Sequence, residues 1–402
     1  MNSKPQKSRQ TQKHQSVSRV RRAPSTAFVL AALLLCGCEL AGESDADFIA
    51  GLPVVDLHND RSFFMTAREI PWRRCEGVQI CAGNYAGGRY FFALFRPPPP
   101  YAPGRFGLTR SQARRLAGMS HFEYLQQALA DLRTQTGIPI TRDPDLLDQT
   151  GGSIYLGVEG AFLLDDRPPG SAGLQNKDHG EGPDQTRGAP PMADVERMLL
   201  ELKAAGLSYV GLTWSNPNAY AGVAGESRGL TGRGRELIHL LQRLGIAVDL
   251  SHSSDQSVRD VFRLTGGRLP LFFSHSSVRA LCDHPRNISD ELFRMVKASG
   301  GVVGINFFTA YITCNQRAGR DDVRRHIEYI VNKYGVEYVA LGGDFDGLIQ
   351  LPEGLGGPPD LFLLARDLQK SGLRRAQIEA IYFRNVQRVL RATRAASSLD
   401  RP

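Results

Sequence analysis

Three histidines and four carboxylates each stand at the end of a short apolar run. They lie in Val55-Asp56-Leu57-His58-Asn59-Asp60, Gly157-Val158-Glu159-Gly160, Asp249-Leu250-Ser251-His252, Phe273-Ser274-His275-Ser276-Ser277 and Gly342-Gly343-Asp344-Phe345-Asp346-Gly347. A lone His after a strand is ordinarily a hydrogen-bonded structural residue; the repetition is what points to a shared site. Imidazole and carboxylate donors without thiolate suit zinc or another first-row divalent ion. His58 and Asp60, two apart, fall on one face of an extended segment and can reach one ion. Five candidate ligands (His58, Asp60, Glu159, His252, His275) exceed the three that a catalytic zinc with an open position uses. With one shared carboxylate they suit two ions roughly 3.5–4 Å apart, able to generate hydroxide and to clamp a developing oxyanion, which is hydrolytic chemistry. Asp346 is expected to support rather than ligate. His284, beside Pro285, and His179, in a Gly/Pro-rich stretch, are not expected to be ligands.

The elements that must gather these groups are legible as apolar runs. Candidate strands cover 54–57, 90–95, 154–158, 209–213, 247–250, 271–273, 302–307 and 338–341. Between several of them apolar residues recur at helical spacing: Met198, Leu199 and Leu202; Leu237, Leu240, Leu241 and Leu244; Ile327, Ile330 and Val331. Gly206, Gly245, Gly301 and Gly335 stand where such helices would stop. Short continuous apolar strands alternating with helices predict a parallel sheet. Eight such units predict a single (β/α)₈ TIM-like barrel over 51–391, with a binuclear metal site at the C-terminal strand ends, where all the chemistry-bearing tips converge. Two connections are long: 96–109, with four consecutive prolines, is expected to be extended or polyproline-like, and 165–193, on the catalytic face, to be a lid, a specificity element or simply disorder.

Charge argues against nucleic acid. The chain carries +8, but seven of its basic residues, and no acid, lie in 1–37, so the remainder is nearly balanced and has no basic block to track phosphates. That basic leader precedes an apolar run over 27–36, about half of the roughly 20 residues a spanning helix needs. This is the pattern of a secretory signal. Leu35-Cys36-Gly37-Cys38 resembles the lipobox of bacterial lipoproteins, which implies a signal peptide over 1–37, lipidation of Cys38 and a tether over 38–50. Export to the periplasmic side of a bacterial membrane is then expected, with the membrane reached through the lipid anchor only. Glu39 after the lipidated Cys favours the outer membrane in a Gram-negative cell. Residues 392–402 are expected to be a flexible tail. An exported body keeps disulfides, and Cys75, Cys81, Cys282 and Cys314 allow three pairings.

At these residues the sequence resembles the membrane dipeptidase (renal dipeptidase) family of zinc metallopeptidases, from about residue 53 to 390. Besides the motifs above, the resemblance rests on Arg279-Ala280-Leu281-Cys282-Asp283-His284-Pro285-Arg286-Asn287-Ile288. It implies two Zn²⁺ ions, His58 and Asp60 on one, His252 and His275 on the other, and Glu159 bridging, with a metal-bridging hydroxide attacking the peptide carbonyl. It further implies Asp344 as general base and then acid, Arg286 holding the substrate carboxylate with its planar fork, and a disulfide between Cys282 and Cys314. The substrate implied is a dipeptide, with a D-residue tolerated at its C-terminal position, and the family often forms homodimers. The sequence departs from the family at one point: where mammalian members place a His that binds the substrate carbonyl oxygen, Leu212-Thr213-Trp214-Ser215-Asn216 places Trp214. An indole N–H donates but cannot carry positive charge, and a missing oxyanion donor costs ~10²–10³ in rate unless the metals or Asn216 and Asn218 compensate. Two rival readings remain: a related amidohydrolase acting on another amide bond, such as a natural-product tailoring step, and a metal-stabilised binding lipoprotein without catalysis.

Overall fold

The computed structural model describes residues 44–85, 87–149, 151–165, 190–216 and 218–397. Two units divide the chain, Met1–Asp47 and Phe48–Pro402. The second unit holds eight strands: β1 (Val55–Asn59), β2 (Arg89–Leu94), β3 (Ser153–Val158), β4 (Leu207–Gly211), β5 (Ala247–Asp249), β6 (Phe272–Ser276), β7 (Val302–Ile305) and β8 (Val339–Leu341). They form one parallel sheet in sequence order. Both faces are covered, as the unbroken apolar runs require, so every strand residue is buried. The sheet closes just beyond β8: Asp344 N donates to His58 O (3.0 Å) and Asp60 N to Phe345 O (2.8 Å), with a parallel bridge between Asn59 and Phe345. The (β/α)₈ barrel expected from the apolar runs is therefore the fold.

Strand ends match the expectation or differ from it by up to three residues. The consequence is that His58 and His275 lie inside β1 and β6 rather than beyond them. Both sit where the ladder register slips, between Asp56 and Asn59 in β1 and between Phe273 and Ser276 in β6. Such irregularities re-aim side chains, here toward the barrel axis.

The outer helices obey their local signals. Gly232–Leu244 starts at Thr231, whose side chain accepts from Gly234 N, buries Leu237, Ile238, Leu240, Leu241 and Leu244, and ends at Gly245 with φ 62°. Asp290–Ser299 ends one residue earlier than expected, at Gly300. Gly301 instead begins the approach to β7, where a Cβ would lie 2.1 Å from Leu271 O. The stretch expected as a tether is helical over Asp45–Gly51, with Phe48 and Ile49 buried in the core. The stretch expected as a tail continues helix Asn385–Ala396 and buries Thr393 and Ala396. In both, side chains that pack on the body outweigh terminal position. The 96–109 connection is not wholly extended, because it holds a short turn at Arg105–Gly107.

Both disulfides close locally, Cys75 with Cys81 and Cys282 with Cys314. The signal segment, Cys36, the lipidation candidate Cys38, His179 and most of the 165–193 connection (166–189) lie outside the described residues. At the edges of that connection, Arg233 Nη2 donates to Pro190 O (2.7 Å) and lies 3.4 Å from Asp165 Oδ1. No helix among the described residues is long and apolar enough to cross a membrane.

Candidate metal centre

The C-terminal ends of β1, β3, β5, β6 and β8 bring the five candidate ligands and Asp344 together. Glu159 Oε1 lies 3.2 Å from His252 Nε2, 3.5 Å from His275 Nε2 and 3.6 Å from His58 Nε2. His58 Nε2 is 3.9 Å from Asp60 Oδ1 and 4.0 Å from Asp344 Oδ1, and the Nε2 atoms of His252 and His275 are 3.0 Å apart. Three overlapping groups have their ligand atoms mutually within 4.8 Å: His58, Asp60 and Glu159; Glu159, His252 and His275; His58, His275 and Asp344. All six residues are buried.

Each imidazole is aimed by a partner on its other nitrogen. Tyr209, from β4, lies in the barrel interior, and its Oη donates to Leu57 O (3.3 Å) while accepting from His58 Nδ1 (2.9 Å). Gly157 on β3 makes room for that ring, since a Cβ there would sit 2.0 Å from Tyr209 Cζ. Ser274 Oγ donates to Asp249 Oδ2 (2.6 Å) and so accepts from His275 Nδ1 (2.7 Å). Asp249 Oδ1 also accepts from Ser251 N and Ser274 N, and Ser251 Oγ accepts from His275 N, which ties the tips of β5 and β6 together. His252 Nδ1 pairs with Ser215 Oγ at 3.1 Å. The tautomers this network assigns to His58 and His275 leave both Nε2 lone pairs facing Glu159. His252 and Asp344 hold positive φ, 66° and 57°, a strained region for side-chain-bearing residues that is stabilised by the surrounding contacts.

The donor set fits a divalent cation. His58 Nε2, Asp60 Oδ1 and Glu159 Oε2 are buried and take no hydrogen-bond partner within the protein, an arrangement that is costly unless something positive satisfies them. Four donors around a tetrahedral zinc at roughly 2.0–2.1 Å lie roughly 3.3 Å from one another, the same range as the contacts to Glu159. Burial, helped by the charge of Arg286, pushes His58 down to about 3. Burial likewise holds His252 and His275 well below the usual imidazole range, so all three are in the neutral form that ligates. Burial and neighbouring carboxylates push Asp60 and Glu159 well up, and burial raises Asp344 to about 6 against the opposing Asn306 hydrogen bond and Arg286 charge. A cluster of negative groups in a dry site is what a bound dication neutralises.

Around this centre the other expected residues fall out differently. Arg286 is buried beside it: Nη2 donates to His275 O (3.2 Å), Nη1 to Ser276 Oγ (3.4 Å), and the guanidinium lies 5.4 Å from the Tyr311 ring centre. Its charge acts on Asp344 and Glu159, but among the described residues it forms no close ion pair with a carboxylate, which leaves the guanidinium available to an anionic ligand. Its loop is held by Asn287 Nδ2 bonds to Cys282 O and Tyr311 O, both 2.8 Å. Trp214 packs 5.1 Å from Phe95 and 6.2 Å from His252, ring centre to ring centre. Asp346 is structural, accepting from Gln79 N (2.6 Å) and Ile80 N (3.3 Å) in the Cys75–Cys81 loop. His284 packs at a tilt against Tyr311, ring centres 4.5 Å apart, and belongs to no ligand cluster. Asn218 does not face the site as expected: its oxygen caps Tyr220 N and Ala221 N, and its Nδ2 donates to Leu212 O. Sequence reasoning missed Tyr209, Ser215 and Asn306, whose Nδ2 donates to Asp344 Oδ2 at 3.0 Å. Asp249 and Ser274 stood inside recognised motifs, a signal that could have marked them as supports.

Comparison with known proteins places the chain in one family. The family model for membrane dipeptidase (peptidase family M19) matches residues 186–401, a stretch that carries His252, His275, Arg286 and Asp344; His58, Asp60 and Glu159 precede it. An uncharacterized dipeptidase of Schizosaccharomyces pombe is 36% identical over 207 residues, 49% of this chain and 49% of the relative. Dipeptidase aclJ of Aspergillus oryzae is 37% identical over 204 residues, 49% of this chain and 47% of the relative. The chain thus spans about half the length of these curated relatives. Among solved structures, a metallopeptidase from Rhodobacter sphaeroides, liganded with a phosphinate mimic of the dipeptide L-Ala-D-Ala, superposes with a TM-score of 0.64 at 24% identity, covering 85% of this chain and 99% of that one. The probable dipeptidase PvdM from Pseudomonas aeruginosa gives 0.66 at 18% identity, covering 87% and 98%. At those identities the likeness is one of fold. With more than half of its length matched by the family model, the chain belongs to the membrane dipeptidase family, peptidase family M19.

Proposed function

We propose that this chain is a metallodipeptidase that cleaves dipeptides at a two-metal centre. The observation that carries the reading is Glu159 Oε1 facing three imidazole Nε2 atoms within 3.6 Å. His58 and Asp60 would hold one ion and His252 and His275 the other, with Glu159 shared, and the donor set suits zinc. When bound, such a pair supplies an acidified water and positive charge near the scissile carbonyl oxygen. Asp344 has Oδ2 occupied by Asn306, which leaves Oδ1 facing the centre to accept a proton from the attacking water and pass it to the leaving amide nitrogen. The guanidinium of Arg286, which forms no close ion pair among the described residues, binds the substrate's terminal carboxylate. A D-residue at that end is tolerated because the grip is on the carboxylate rather than on the side chain, and the R. sphaeroides relative was solved with a mimic of such a peptide. Trp214 offers a neutral N–H where an imidazole is expected, so it can donate to the carbonyl oxygen but cannot carry positive charge there.

The basic leader and Cys38 support a lipoprotein held on the periplasmic side of a membrane, and the family resemblance supports a homodimer. Radiolabelled lipid incorporation lost in Cys38→Ala, and light scattering of the purified body, test these two points. The activity itself is tested by metal analysis of purified protein together with a panel of dipeptides, including D-residues, and Asp344→Asn as control. Release of amino acids that Asp344→Asn abolishes is the expected result. Trp214 favours one second reading, an amidohydrolase for a different bond, and turnover of non-peptide amides alone would select it. Two bound metals with no turnover of either class would leave a binding protein.

A further inference from the structure

Three aromatic rings cluster beside the metal centre. Phe95, directly after β2, is buried and lies 5.1 Å from Trp214. Phe106 meets Trp214 edge-on at 6.3 Å. Trp214 in turn lies 6.2 Å from His252 at an interplanar angle of 33°. Trp214 and Phe106 are only half-buried, so both keep apolar surface facing outward. Phe106 is carried over Trp214 at a cost: its φ is 55°, a conformation side-chain-bearing residues rarely adopt. The chain on either side holds it there, with Gly104 N donating to Leu108 O (2.8 Å), Leu108 buried, and Thr109 capping helix Arg110–Ala117. Strained residues persist where the surroundings enforce them, and they concentrate at sites of function.

Topology gives the wall its direction. Phe95 and Phe106 come from the connection after β2 and Trp214 from that after β4, whereas Arg286 and Tyr311 come from those after β6 and β7. In a closed eight-strand barrel these groups face each other across the mouth, with the imidazoles between them. A dipeptide whose carboxylate rests on Arg286 and whose amide lies over the centre directs its N-terminal residue toward the rings.

We propose that Phe106 and Trp214 are specificity-determining residues, forming a subsite that receives a flat apolar side chain on the substrate's N-terminal residue. This rests on the dipeptidase reading above. An aromatic side chain gains apolar burial and edge-to-face contact there, while a polar or charged one loses hydration without a partner.

The test compares kcat/KM for Phe-Ala, Ala-Ala and Ala-Phe in wild type, Phe106→Leu and Phe106→Ala. Wild type is expected to prefer Phe-Ala over Ala-Ala by about tenfold. Phe106→Ala removes most of that preference, Phe106→Leu removes less, and the ratio of Ala-Phe to Ala-Ala stays as in wild type. An unchanged Phe-Ala preference in Phe106→Ala, or a loss confined to Ala-Phe, overturns the subsite. If wild type cleaves none of the three, the dipeptidase reading fails, and the wall is then judged by binding. Phe-Ala should shift the tryptophan emission of wild type where Ala-Ala does not, and Trp214→Phe should lose that shift; an equal response to both peptides overturns the subsite independently.

Discussion

Tyr209→Phe removes one oxygen from the barrel interior and tests whether the metal centre is built from its supports outward. The ring would stay packed, 6.0 Å from Phe91 and 5.4 Å from Phe272, so no cavity opens. What is lost is the acceptor for His58 Nδ1, at 2.9 Å in a place without solvent exposure. Leaving that N–H unpaired costs about 1–3 kcal/mol of stability. It also leaves the His58 tautomer unspecified, and losing such a support typically costs 10–100-fold in metal affinity, about 1.4–2.7 kcal/mol. Competition of wild type and Tyr209→Phe against a chromophoric zinc chelator measures the affinity, and urea unfolding of the metal-free proteins separates the stability effect. Gly157→Ala is the companion variant, because its Cβ would meet Tyr209 Cζ at 2.0 Å and must displace the ring. It should weaken metal binding as well, with about 1–3 kcal/mol of overpacking cost. A folded Tyr209→Phe that binds zinc within twofold of wild type would refute the idea that Tyr209 orients His58.

Three further outcomes are expected. Asp344→Asn keeps the metal ligands and the contact to Asn306 but removes the proton carrier, so it should lose at least 10²-fold in kcat while metal content stays as in wild type; equal kcat would dismiss the proton role. His326 is buried, accepts from Val278 N (3.0 Å) and donates to Ile312 O (2.8 Å), and burial lowers its pKa from 6.5 to about 4. Between those values the unfolded chain binds the proton and the folded one does not, so its stabilisation is complete above about pH 6.5 and fades toward pH 4, by about 3 kcal/mol in all. Urea unfolding at pH 7 and pH 5 should show a smaller fall for His326→Gln than for wild type; equal slopes would refute the assignment. Opening the Cys282–Cys314 link, which closes 32 residues around the Arg286 loop, should cost about 3–4 kcal/mol on the chain-entropy account and raise KM more than it lowers kcat. A Cys282→Ser, Cys314→Ser pair with unchanged melting temperature would count against it.

Much of this was legible in the residues alone, for a local reason. A parallel strand buried on both faces must be apolar along its length, so Ile154 to Val158 or Val302 to Ile305 announce themselves without a partner. Helix Gly232–Leu244 carries its own cap, its apolar stripe and its glycine stop. Polar groups placed directly after such runs, as Glu159 and His252 are, need only the rule that strand tips share one end. Where elements stop was less legible, because the ladder neighbour decides it: β6 continues to Ser276 through its pairing with Ile305, which puts His275 inside the strand. Asn218 was misplaced because an Asn beside a site and an Asn that caps a turn look alike in a sequence, and only the bonds to Tyr220 N and Ala221 N tell them apart.

What sequence alone determined, then, is the set of candidate donors, the barrel that carries them and their common end, all encoded in residue type and period along the chain. Tertiary structure alone decided which atoms meet. Tyr209 reaches His58 because β4 sits at one particular register beside β3, with Gly157 leaving the space, and Asp344 joins the cluster because the sheet closes from β8 onto β1. Register and closure are properties of neighbouring strands rather than of any one of them. No stretch read by itself contains the distance between two groups that chain folding brings together.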